Sequence, residues 1–123
     1  MPIVSPSGAV MFETHGSRFH SYVAPSRGSD QLCAWRLEIP PGLEGVAHRP
    51  TRDEVLLVLD GDLRISLDGL QTTLHEGGVA LVPANSELQV DAGTSGASVW
   101  VTTTPGLEAV TNDGVRVTPP WAQ

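Results

Sequence analysis

The chain has 123 residues, a formal net charge of −7 and a hydrophobic content of 40%. This length suits one domain spanning residues 1–123, because it is enough for one core and too short for two. No apolar run approaches the ~20 residues of a membrane-spanning helix. The acidic charge argues against a nucleic-acid partner, since phosphates bind clustered Lys and Arg. All seven Lys and Arg positions are Arg, which excludes chemistry that needs a lysine amine.

The first residues and the single cysteine indicate a cytoplasmic protein. Residues 1–10 lack a basic segment followed by an apolar one, so we expect no secretory signal. Cys33 has no second cysteine with which to form an intramolecular disulfide, which fits a reducing compartment. We therefore expect a location in the cytoplasm, with no membrane and no nucleic acid among the partners.

Short runs between turn residues predict an all-β fold. The 13 glycines and 10 prolines are spread along the chain and separate runs of the length that is typical of strands. The predicted strands are 17–24, 32–39, 54–59, 63–67, 71–75, 79–82, 87–90 and 98–103. No stretch of about eleven residues has the apolar period of a helix, and residues 106–110 form at most one helical turn. Such a series of short strands favours a β-sandwich or a β-barrel.

The run 32–39 shows the clearest alternation of apolar and polar residues. Four side chains share the face that we expect to point inward, namely Cys33, Trp35, Leu37 and Ile39. Near the end of the chain, Pro119 and Pro120 cannot donate to a strand ladder. We expect Trp121, which follows them, to cap the barrel or to pack on a partner subunit, since an indole gains little in water.

Two segments carry a spaced pattern of Gly, His, Glu and Pro. In the first segment Gly42, His48, Glu54 and Gly61 are separated by five, five and six residues. In the second segment Gly77, Pro83 and Asn85 are separated by five residues and by one. This spacing resembles the paired motifs of the cupin superfamily. The first cupin motif reads Gly, five residues, His-x-His, three or four residues, Glu, six residues, Gly. The second reads Gly, five residues, Pro-x-Gly, two residues, His.

The resemblance implies a single cupin-type antiparallel β-barrel, also called a double-stranded β-helix or jelly roll. Residues 32–103 would form the barrel core, with N-terminal strands in 8–24 and a C-terminal tail at 105–123. The motif glycines would stand where a turn or a close backbone approach needs them. Asn85, in place of the last glycine of the second motif, tolerates left-handed geometry better than other residues.

The departures from the motif concern the metal ligands that the family usually carries. The second histidine falls on Pro50 and the distal histidine falls on Leu88, so only His48 and Glu54 remain. A catalytic zinc normally has three protein ligands, and the iron facial triad needs two His and one carboxylate. The resemblance therefore implies either no cofactor or a divalent transition metal (zinc, iron, manganese or nickel) whose site is completed by another residue.

Four side chains are candidates to complete such a site. His20 lies in the predicted strand 17–24 and could point inward, so it is the leading candidate. His75 lies beside a glycine turn, His15 lies in a loop, and Asp53 neighbours Glu54, so that it should face away from the lumen.

The lumen that these motifs predict combines an apolar lining with one polar pair. Its residues are Trp35, Leu37, His48, Pro50, Glu54, Leu56 and Leu88. One reading is structural, with His48 and Glu54 hydrogen-bonded to each other or to water. The other is functional, with the pair binding a polar ligand group or acting as general acid and base.

Three functions remain open at this point. The first is a metal-poor barrel that binds a small organic molecule, for which the apolar lining suits an aromatic or lipophilic compound. The second is an enzyme of dioxygenase, isomerase or cyclase type, working by acid–base catalysis or with a metal completed by His20. The third is a structural or regulatory homodimer, because exposed sheet edges invite pairing.

Overall fold

The computed structural model describes residues 2–123, which form ten strands and three short 3₁₀ turns, with no α-helix in that range. The strands are β1 Val10–Thr14, β2 Ser17–Val23, β3 Cys33–Ile39, β4 His48–Pro50, β5 Glu54–Leu67, β6 Leu70–Leu74, β7 Val79–Val82, β8 Leu88–Thr103, β9 Ala109–Thr111 and β10 Arg116–Val117. The 3₁₀ turns are Pro6–Gly8, Pro25–Arg27 and Pro120–Ala122. No helix within residues 2–123 has the length and the apolar character needed to cross a membrane.

All ten strands belong to one antiparallel sheet that wraps around a central space. The main path runs β1-β2-β3-β8-β4-β9-β10, and β5 attaches to β8 while carrying β6 and β7. Strand β8 is the centre of the fold, since it pairs with β3, β4 and β5. This topology confirms the all-β class and the antiparallel barrel that the motifs predicted.

Strands β5 and β8 are longer than predicted, because each continues through a bend. The sequence predicted a break between 54–59 and 63–67 and another between 87–90 and 98–103, and both breaks are wrong. The pairing of β5 with β8 shifts register on either side of Gly61. Gly61 has a φ of 77°, and a Cβ there would lie 2.1 Å from the carbonyl oxygen of Gly96. The predicted close backbone approach at Gly61 is thus confirmed, within a bend of the strand instead of at its end.

The inner face of the sheet forms the core. Cys33, Trp35, Leu37 and Ile39 are all buried, which confirms the face predicted from alternation in 32–39. Leu63 of β5 and Val99 of β8 are fully buried beside them. The same strand alternation places Arg36 and Glu38 of β3 on the outer face, where they form an ion pair at 3.0 Å.

The C-terminal segment is more ordered than a tail. Residues 106–110 were predicted to form at most a helical turn, but Ala109–Thr111 is a strand that pairs with β4. Further on, the ring of Trp121 stacks on that of Phe19 with centroids 3.7 Å apart and meets Trp35 edge-on at 6.4 Å. Trp121 therefore packs on aromatic rings of its own barrel, as the first of the two predicted alternatives requires.

Candidate functional site

The barrel contains a partly open cavity of about 470 Å³, a volume that suits a small organic ligand. All seven residues that were predicted to line the lumen do line it: Trp35, Leu37, His48, Pro50, Glu54, Leu56 and Leu88. They come from β3, β4, β5 and β8, so the fold brings together positions that are far apart in the sequence.

Strand β4 explains how the first motif aims its residues inward. His48 and Pro50 are two positions apart in an extended strand, so both point to the cavity while Arg49 between them is exposed. His48 is paired in register with Leu88, the first residue of β8. The position of the family's distal histidine therefore lies next to His48, but an aliphatic side chain occupies it.

His48 has a defined tautomer. Its Nδ1 lies 2.9 Å from the backbone carbonyl oxygen of Val46, and a carbonyl oxygen only accepts hydrogen bonds. Nδ1 therefore carries the proton that is donated, and in the neutral ring Nε2 is left with a free lone pair. The half-buried ring lines the cavity, so the site includes one hydrogen-bond acceptor of fixed identity.

Glu54 is the buried acid of the site. It opens β5, its residue is 7% exposed, and its carboxyl makes no hydrogen bond or ion pair within the described range 2–123. Desolvation raises the pKa of this carboxyl from 4.5 to about 7. The direct hydrogen bond between His48 and Glu54, which one of the two readings allowed, is not formed among these residues, and Nδ1 of His48 bonds to Val46.

His20 is not brought to the two remaining motif ligands. Phe19 lines the cavity, and His20 does not, because neighbouring residues of a strand point to opposite faces of the sheet. His20 stands on the outer face, in register with Arg36 of β3. The expectation that His20 completes a metal site is therefore wrong, because the register of β2 with β3 places His20 on the outer face.

The other three candidates also lie apart from His48 and Glu54. The exposed His75 has its Nδ1 2.7 Å from Oδ1 of Asp62 on the surface. Asp53 turns away from the cavity and accepts a hydrogen bond of 2.7 Å from the backbone amide of Ala84. His15, in the turn after β1, reaches the rim of the cavity and is exposed.

The donor set does not fit a transition metal. Within residues 2–123 there is no group of three or more His, Cys, Asp or Glu side chains that could hold an ion. Pro50 and Leu88 occupy two of the four motif positions, and neither side chain has a lone pair to give. Two donors fall short of the three that catalytic zinc and iron sites use.

Strands β1 and β2 add two aromatic residues to the wall that were not predicted from the sequence. Phe12 of β1 and Phe19 of β2 are paired in register and line the cavity. With Trp35 and Trp121 they form an aromatic wall, in which the buried Nε1 of Trp35 has no hydrogen-bond partner among residues 2–123. The alternation of residues 10–14 around the turn at His15 and Gly16 was the signal available for this hairpin.

Comparison with protein families settles the affiliation of the chain. A family model described as "Cupin domain" matches residues 35–104, which is more than half of the sequence. The chain belongs to the cupin family. This cupin keeps the barrel and the inward aim of the motif, and it replaces two of the usual ligands by apolar side chains.

Individual relatives of this cupin differ in size and in name. The chain is 35% identical over 77 residues to the endoribonuclease YbeY of Myxococcus xanthus, and it spans 62% of its own length but only 26% of that protein. An RmlC-like cupin from Shewanella frigidimarina has a TM-score of 0.71 at 19% identity, with 81% of this chain and 86% of the other covered. An oxalate decarboxylase variant from Bacillus subtilis has a TM-score of 0.74 at 17% identity, with 83% of this chain and 29% of the other covered. At these identities the two structures show the fold alone.

Proposed function

We propose that this cupin binds a small organic molecule inside the barrel. The observation that carries the proposal is one unpaired carboxyl, that of Glu54, buried in the wall of a largely apolar cavity of about 470 Å³. A ligand group that contacts Glu54 and His48 would orient the molecule, and the aromatic and aliphatic wall would take its body.

The energetics favour occupation by a molecule with one polar end. A buried polar group without a partner costs roughly 2–7 kcal/mol relative to water, and a hydrogen-bonding ligand offsets part of that cost. Apolar ligand surface gains about 25 cal/mol per Å² on leaving water. Pro50 and Leu88, which replace histidines of the family motif, add to the apolar part of this wall.

Two substitutions on β9 test the proposal with a matched control. The side chain of Ala109 lines the cavity, and that of its neighbour Val110 does not. We expect Ala109→Phe to fill the space and to abolish retention of small molecules, measured by mass spectrometry of protein purified without a tag. Val110→Phe should retain them. Equal retention by both variants would place the binding elsewhere and contradict the proposal.

Acid–base catalysis on the bound molecule is a second candidate function. Burial brings the pKa of Glu54 to about 7, where a carboxyl can both give and take a proton near neutral pH. His48 lines the same cavity, and in this role the lone pair of its Nε2 would accept a proton. Once a ligand is identified by mass spectrometry, its turnover by Glu54→Gln decides the matter, since unchanged turnover would rule out this role.

We further propose that two copies of the chain pair through the outer face of β5 and β7. Four aliphatic side chains on this face are 40–60% exposed: Val55, Leu59, Val79 and Leu81. Within residues 2–123 strand β7 pairs with β5 alone, and exposed apolar patches of this kind mark interaction sites. Light scattering on Leu81→Glu should show monomers, whereas Leu70→Glu, at an exposed leucine of β6, should remain a dimer. A wild-type monomer at high concentration would contradict the pairing.

A further inference from the structure

We propose that the ligand of the cavity is an organic amine, whose protonated nitrogen pairs with Glu54 and whose apolar or aromatic body packs on the ring-lined wall. This inference rests on the proposed function, because it names the charge class of the molecule that the barrel would bind. It goes further in excluding small carboxylic acids as the preferred ligands.

The charged side chains of the cavity wall are mainly acidic. Among residues 2–123 the titratable side chains that line it are Glu13, His15, His48, Glu54 and Glu108. The chain has no lysine, and none of its seven arginines lines the cavity. The wall therefore has three carboxylates and no permanently cationic side chain to balance them.

The three carboxylates differ in what surrounds them. Glu108 has its Oε1 3.1 Å from Nη1 of Arg116, so it already has a counter-charge. Glu13 is exposed and in contact with water. Glu54 is 7% exposed and has neither a cation nor a hydrogen-bond donor on its carboxyl within the described residues. The most buried of the three carboxyl groups is thus the one for which a ligand would have to supply the partner.

The nature of that partner follows from the neighbours of Glu54. A transition metal does not fit, since the described side chains offer no set of three donors. Once Glu54 is ionised, a carboxylate ligand would place like charges together without an arginine on the wall to offset them. An ammonium group donates charge-assisted hydrogen bonds to a carboxylate. The rings of Phe12, Phe19, Trp35 and Trp121 also favour it, because aromatic faces attract cations.

Three probes of nearly equal size and different charge test the inference by titration calorimetry at pH ~8, above the pKa of about 7 of Glu54. They are phenethylamine, phenethyl alcohol and phenylacetate. We expect the amine to bind at least about tenfold more tightly than either other probe, because only the amine forms an ion pair with the buried carboxyl. Glu54→Gln should weaken amine binding at least about tenfold and leave the alcohol within about twofold. Glu76→Gln, at an exposed turn outside the cavity, is the matched control and should bind all three probes as the wild type does.

The outcomes separate this inference from the proposed function. If the alcohol or phenylacetate binds more tightly than the amine, the amine assignment is wrong. The proposed small-molecule binding still holds in that case if Ala109→Phe abolishes binding of the tighter probe. Unchanged amine affinity in a folded Glu54→Gln would also overturn the assignment. If Glu54→Gln does not fold, the ranking of the three probes on the wild-type chain decides. Failure of all three probes to bind would contradict the amine assignment, and retention of small molecules that is equal in Ala109→Phe and Val110→Phe would contradict the proposed function as well.

Discussion

The two faces of β5 depart from ordinary burial in opposite directions. On the inner face Leu56 and Val58 are buried, and the strand begins with an unpaired carboxyl at Glu54. On the outer face Val55 and Leu59 are apolar and exposed. A buried unpaired acid costs free energy, and so does aliphatic surface in water. Both faces of β5 are therefore suited to binding: the inner face offers a polar group to a ligand, and the outer face offers an apolar surface to a second protein.

The bend at Gly61, which lies within β5, should be the most sensitive position of the strand. We expect Gly61→Val to cost at least about 4 kcal/mol or to prevent folding, because it combines a positive φ with a clash against Gly96. Denaturant unfolding measures the loss. Gly69→Ala has a similar φ of 85° but open space around it, and should lose only about 1 kcal/mol. Equal losses would mean that strain, and not the close approach, governs the bend.

Matched truncations on the two faces of β5 measure how much each face contributes to the stability of the fold. Leu56→Ala should destabilise the fold by about 3 kcal/mol, since the side chain is buried and its removal leaves a cavity. Val55→Ala, one position earlier on the outer face, should cost less than about 1 kcal/mol in the monomer. The check is equilibrium unfolding in urea. A larger loss from Val55→Ala would mean that the outer face is not free in the monomer.

Replacing the buried acid of the inner face, in Glu54→Gln, should change the stability of the fold in a way that depends on pH. The pKa of Glu54 is raised from 4.5 to about 7, so the folded state binds more protons than the unfolded state between these values. Below pH 4.5 Glu54 is protonated in both the folded and the unfolded state, and it costs the fold no charge burial. As the pH rises towards 7, the free energy of unfolding decreases progressively. Glu54→Gln removes this loss and should be more stable than the wild type above pH 7, by at most about 3 kcal/mol.

Unfolding at pH ~4 and pH ~8 measures that difference, and the other carboxyl groups cancel because both proteins share them. We expect the gain of Glu54→Gln at the higher pH only. A difference between the two proteins that stays constant with pH would contradict the raised pKa of Glu54.

The sequence predicted the inner face well where strong local patterns exist. Alternation in 32–39 gave the inward face of β3, and the motif spacing placed His48, Pro50 and Glu54 on the cavity wall. Asn85 has the left-handed backbone, with a φ of 69°, that its place in the second motif predicted. These features depend on strand periodicity and on turn geometry, both of which are local properties of the chain.

The missed features depend on pairing between distant segments. Ala109–Thr111 has too few residues to show a period, and its pairing with β4 is what makes it a strand. The face of His20 could not be read from a weakly alternating run, since only the register with β3 fixes it. Spacing likewise does not reveal that Nδ1 of His48 bonds to the carbonyl oxygen of Val46.

The three tryptophans are divided between the two sides of the barrel wall. Trp35 and Trp121 line the cavity, whereas Trp100 does not and instead lies beside Tyr22 with ring centroids 5.2 Å apart. The chain therefore contains its own optical reporters, two for the interior and one outside it. In a Trp100→Phe variant the remaining emission would come from the cavity wall alone, so that its colour and quenching would follow events inside the barrel without any attached dye.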